Sequence, residues 1–127
     1  MECIQKVLAI EASYDDLSRI QQCLGAEGQV HAAATLDEGL RWLQAEQAFS
    51  IVLDVEGSQL PLEVIHQLQA AAPAARVILL SRLADERLWI EALEAGAYDL
   101  LRQPLGGMEA AGVVRSALLP GAAAVAA

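Results

Sequence analysis

The chain has 127 residues, enough for one domain with its own core, and 55% of them are hydrophobic, which excludes wholesale disorder. A formal net charge of −9 argues against direct contact with a nucleic-acid backbone, and no apolar run approaches the roughly 18 residues of a membrane helix. Cys3 and Cys23 lack metal-ligand or disulfide-framework spacing and the N-terminus lacks a secretory pattern, so a reducing cytoplasm is the expected setting.

The first apolar run, KVLAI (6–10), is too short for a helix and reads as a buried strand. Leu17, Ile20 and Leu24 then recur at helical spacing, with Gly25 or Gly28 as the stop. QVHAAA (29–34) is a weak second strand. Thr35 with Glu38 three residues later is a capping-box pattern, and Leu36, Leu40 and Leu43 give the second helix its face. SIVLDV (50–55) is the third strand, and Leu60, Val64, Ile65 and Leu68 mark a helix stopped before Pro73. ARVILLS (75–81) is the plainest strand in the chain. Leu88, Ala92 and Leu93 line the fourth helix, which Gly96 ends. YDLLRQP is a short fifth strand closed by Pro104, followed by a glycine-weakened fifth helix from Gly106. Residues 120–127 lack periodicity and are expected to be a disordered tail or the start of a linker.

Five strand–helix units in alternation call for a doubly wound α/β domain. Its sheet is parallel and covered by helices on both faces in a three-layer sandwich. The uniformly apolar strands fit burial on both sides. In such sheets ligands bind beyond the carboxyl ends of the strands. Glu11 and Ala12 follow strand one, Asp54 lies near the end of strand three, Ser81 closes strand four and Gln103 follows strand five. An acid, a second acid, a hydroxyl and an amide are therefore expected in one crevice.

VLAIEASYDDL, IVLDV, VILLS and ALEAGAYDLLRQP, in that order, resemble the receiver domain of two-component response regulators over residues 5–119. The resemblance implies the strand order 2-1-3-4-5 with five helices, and a non-enzymatic phosphorelay role. It puts Asp54 at the phosphoacceptor and Ser81 at the switch hydroxyl. Glu11 and Asp54 become ligands for Mg²⁺. A histidine kinase or phosphotransfer protein is the implied donor. Trp89, Leu100 and Val113 are placed on a partner surface (helix 4, strand 5, helix 5) for a second copy or an output domain.

The pattern is broken at several positions. Ala12 stands at the second acid, Gln103 at the lysine, Leu100 at the usual aromatic and Ser58 at the usual proline. A missing carboxylate weakens any Mg²⁺ site. A missing lysine removes a charged contact worth roughly 1.5–3 kcal/mol. The resulting expectation is a receiver with an impaired phosphate site. Its alternative is a pseudo-receiver that docks or dimerises without phosphate. Asp15 and Glu56 are neighbouring acids that could partly replace the lost ligand, but they read first as ordinary solvated loop carboxylates. A flavin or dinucleotide binder is disfavoured, because EASYDD is no glycine-rich phosphate loop. His31 and His66 have no matched ligand spacing.

Overall fold

The structure is a computed structural model, and it describes residues 5–56, 60–83, 85–103, 105 and 115–119. Five strands, β1 (Gln5–Ile10), β2 (Gly28–Ala33), β3 (Ser50–Val55), β4 (Arg76–Ser81) and β5 (Asp99–Arg102), pair in parallel in the order β2-β1-β3-β4-β5. Helices α1 (Tyr14–Leu24), α2 (Leu36–Ala45), α3 (Leu62–Ala71) and α4 (Glu86–Glu94) make the crossovers. Residues 115–118 are helical too, while Gly106 and the expected start of that helix lie outside the described residues. No helix among the described residues is long and apolar enough to cross a membrane.

Strand alternation divides the core into two layers. Leu8, Ile10, Ile51, Leu53, Val77, Leu79 and Leu100 pack on one sheet face against Ile65, Leu68, Leu88 and Ala92 of α3 and α4. Val7, Ala9, Val52, Ile78, Leu80 and Leu101 pack on the other against Ile20 and Leu24 of α1 and against Ala117, Leu118 and Leu119. By this alternation Asp54 shares the pleat of Val52, so it faces the α1 layer.

Caps fix the helix ends. Thr35 Oγ1 accepts from Glu38 N at 3.2 Å, and Glu38 Oε2 accepts from Ala34 N at 2.9 Å, so the box closes one residue before its cap. Asp85 caps α4 by accepting from Leu88 N at 2.8 Å. Gly25 ends α1 at φ +60° and Gly96 follows α4 at φ +101°, conformations that favour glycine.

At the opposite edge from the strands' carboxyl ends, Arg76 ties down the C-terminal helical turn. Its Nη1 donates to Ser116 O and Ala117 O, each at 3.2 Å. Its guanidinium also lies 4.8 Å from the Phe49 ring centre and 4.2 Å from that of Tyr98. Replacing Arg76 with Ala removes both carbonyl contacts and both ring contacts, and is expected to cost about 2 kcal/mol. Arg87→Ala, which breaks only the exposed Arg87–Glu91 pair, is expected to stay within about 0.5 kcal/mol. Urea denaturation of the two variants reads the contrast.

Candidate functional site

The sheet register brings the strand ends level. Asp54 pairs with Leu80, Val55 with Ser81, and Ser81 with Arg102. Gln103 N donates to Ser81 O at 2.9 Å, extending the pairing one step past β5. Ser81 is fully buried, Gln103 is buried, and Asp54 is half-buried at the mouth of the crevice.

The central contact joins the amide after β5 to the first turn of α1. Gln103 Nε2 donates to Asp16 Oδ2 at 2.6 Å, and both side chains are buried. The Gln103 side chain is also near enough to Asp54 to lower its carboxyl pKa as a hydrogen-bonding neighbour. A primary amide has two N–H donors on one nitrogen, which suits it to serve two carboxylates. Asp16 is placed by its helix: Ser13 Oγ accepts from Asp16 N at 3.1 Å, and the first turn of a helix favours negative charge. Asp16 is a site residue that the sequence alone does not single out from its neighbour Asp15. The signal was there, since Asp16, Ile20 and Leu24 are spaced by four and share one helical face.

On the other side of Asp54 a cleft of about 560 Å³ has Glu11, Asp54 and Glu56 around an apolar lining that includes Leu53, Leu60 and Val64. Glu11 lines this cleft but is exposed. Its backbone has φ +56°, a left-handed conformation that a non-glycine residue adopts at a cost of roughly 1–2 kcal/mol, and its N–H donates to Ala33 O at 2.9 Å. Among the described residues no group of three or more His, Cys, Asp or Glu side chains is arranged to hold a metal ion. Ala12 brings no ligand, and one oxygen of Asp16 is taken by Gln103.

Ser81 Oγ accepts from Leu83 N at 3.0 Å, so the hydroxyl closes the turn after β4 in this state. Leu100 requires a correction. It is only 6% exposed and belongs to the core, not to a partner surface. Both faces of β5 are covered, and an aliphatic side chain without a polar tip gains most by full burial. The exposed apolar groups of this region are Trp89, Ile90 and Leu93 on α4 and Tyr98 before β5. Trp89 is 44% exposed, and its Nε1 donates to Asp99 Oδ1 at 3.0 Å. Val113, Ser58 and Pro104 lie outside the described residues. His31 stacks on Trp42, with ring centres 4.8 Å apart, and His66 sits in α3 away from the crevice.

Burial pushes the Asp54 carboxyl above its ordinary value, and the Asp16 and Glu56 carboxylates add to that rise. The Gln103 hydrogen bond and the Arg82 charge pull it back down.

No protein-family model matches the chain, and no curated protein does. Solved structures do. A CheY-like protein (tadZ) from Pseudomonas aeruginosa PAO1 is 26% identical with a TM-score of 0.72, over 94% of this chain and 98% of that one. A response regulator from Burkholderia pseudomallei, solved with a phosphorylated aspartic acid, calcium ion and citrate, is 25% identical with a TM-score of 0.70, over 96% and 71%. A response regulator from Thermotoga maritima is 21% identical with a TM-score of 0.80, over 91% and 98%. The chain has the fold of response regulator receiver domains, as its motifs led one to expect.

The raised pKa of Asp54 sets a pH dependence. The folded state holds this proton to higher pH than the unfolded state does, so stability falls as pH rises through the raised value. Asp54→Asn is therefore expected to stabilise the fold at pH 7, by up to about 1 kcal/mol given the partial exposure of the group. The gain should vanish below the ordinary Asp pKa of about 3.9, where both states are protonated. Thermal unfolding of both proteins across pH measures it.

Proposed function

We propose that this chain, with the receiver fold as its premise, works in two-component signalling with Asp54 as a slow phosphoacceptor and no tightly held divalent cation. The observation that carries this reading is the Gln103 amide, bound at 2.6 Å to buried Asp16 beside Asp54, where the lysine would stand. Phosphoryl transfer asks little covalent work of a protein and relies on positioning and neutralised charge. Asp54 stands at the mouth of the crevice for attack on phosphorus. The amide offers an N–H to the incoming oxygens but no charge, which slows the step. Glu11 and Asp54 alone form a poor Mg²⁺ site, since that ion takes near-octahedral oxygen donors with water completing the shell. A histidine kinase or phosphotransfer protein is the donor in this reading, and the setting is cytoplasmic.

A second reading, docking without phosphate, is favoured by one observation. Trp89, Ile90, Leu93 and Tyr98 expose an apolar face across α4 and the approach to β5. Such a face fits a second copy or an output domain, with Trp89 as anchor. On that reading Trp89→Ala weakens self-association by about tenfold, the loss of a typical hot-spot contact. Sedimentation equilibrium of the two proteins measures it, and a wild-type chain that stays monomeric removes the homodimer.

Phosphoramidate tests the phosphoacceptor reading, with uptake followed by intact mass. The wild-type chain should gain one phosphoryl group slowly, and Asp54→Asn none. Ala12→Asp combined with Gln103→Lys should react at least about tenfold faster when Mg²⁺ is present, because both missing charges are restored. A double variant no faster than wild type contradicts the assignment of the two positions.

A further inference from the structure

The sheet ends in two edge strands, and the two differ. β5 is four residues long and carries Asp99 and Arg102, and a short, charged edge resists pairing with a further strand. β2 is six residues long, and Gly28–Ala33 holds no Asp, Glu, Lys, Arg or Pro. Strand parity decides which of its backbone groups face outward. Ala33 O accepts from Glu11 N on the β1 side at 2.9 Å, so Gly28, Val30 and Ala32 turn their N–H and C=O groups away from β1. Two of those outward groups are already taken by one side chain. Gln21, half-buried on α1, accepts from Val30 N at 3.0 Å through Oε1 and donates from Nε2 to Gly28 O at 2.9 Å. Its Nε2 also reaches Gly25 O at 3.3 Å, which ties it to the end of α1. One residue of an added parallel strand would make the same pair of bonds, donating to one C=O and accepting from the N–H two residues on. The Gln21 amide therefore stands where a sixth strand would begin. Ala32, the next outward residue, is exposed, and among the described residues its outward N–H has no comparable cover.

We propose that Gln21 is an autoinhibitory guard over the β2 edge, and that without it this edge pairs with β2 of a second copy of the chain. The inference does not depend on Asp54 being the phosphoacceptor. An antiparallel pairing about a two-fold axis fits the outward register. Val30 of each copy exchanges both backbone bonds with Val30 of the other, and Gly28 stands opposite Ala32. Such a pairing needs Val30 N and Gly28 O, the two groups that Gln21 holds. A charged edge would repel its own copy, whereas β2 brings no charge to the seam. The side-chain amide and the second strand offer the same neutral hydrogen bonds to these groups. The amide prevails because it belongs to the same chain and gives up no freedom of association. β2 thus keeps an uncharged edge without pairing, because α1 supplies the missing neighbour.

Two measurements test the guard. The first is amide hydrogen exchange in the wild-type chain, which needs no variant to fold. Val30 N–H should exchange at least about tenfold more slowly than Ala32 N–H, because only the first is held by Gln21. Equal exchange at the two amides overturns the proposal. The second is sedimentation equilibrium. Gln21→Ala and Gln21→Met, the latter keeping the reach of the side chain without its hydrogen bonds, should each self-associate at least about tenfold more tightly than wild type. Adding Ala32→Lys to either variant puts a charge on the seam opposite Gly28 and should return association to the wild-type level. Association unchanged in both Gln21 variants overturns the proposal. Tighter association that Ala32→Lys leaves intact overturns it too, because the contact then lies elsewhere on the molecule.

Discussion

A parallel sheet covered on both faces leaves its strands little room for charge except at their ends. Strands β1, β3, β4 and β5 contribute apolar stretches, and among the described residues buried Asp16 and buried Gln103 meet beyond the carboxyl edge. A buried charge without a partner would be prohibitively costly, so the groups at that edge must satisfy one another. Asp54, Ser81 and Gln103 are brought together by register, and Asp16 joins them from the first turn of α1. Among the described residues no buried side-chain polar atom is left without a hydrogen bond.

How that satisfaction is reached gives the site its character. A lysine would neutralise one carboxylate and hold a second by charge. Gln103 satisfies the geometry of the Asp16 carboxylate and the charge of neither Asp16 nor Asp54. The amide thus keeps the crevice folded while leaving Asp54 in a negative environment, which shows as the upward pull of Asp16 and Glu56 on its carboxyl. Strain is found at the same edge, in the left-handed backbone of Glu11, where strand one turns into its helix.

Much of this was legible in the residues themselves. The apolar run Ser50–Val55 is read to the residue, because a strand buried on both faces has no alternation to blur its ends. The Thr35 cap and the Gly96 stop are local chemistry, and local chemistry is visible in sequence. Asp16 was harder, because an acid in a first helical turn reads as a solvated N-terminal charge. Its burial depends on an amide 87 residues away. Leu100 failed for a different reason. Its surface role was inferred from a position that usually holds an aromatic ring, whereas a leucine there sinks into the layer formed by α3 and α4.

The side-chain amide of Gln103 is the most direct witness to this arrangement, and its protons are visible by NMR. Held between Asp16 and Asp54, the two Nε2 protons should resonate apart, exchange slowly with solvent and both move when Asp54 is replaced by Asn. A Gln103 amide that exchanges as fast as an exposed glutamine, and is unchanged by Asp54→Asn, would contradict the account.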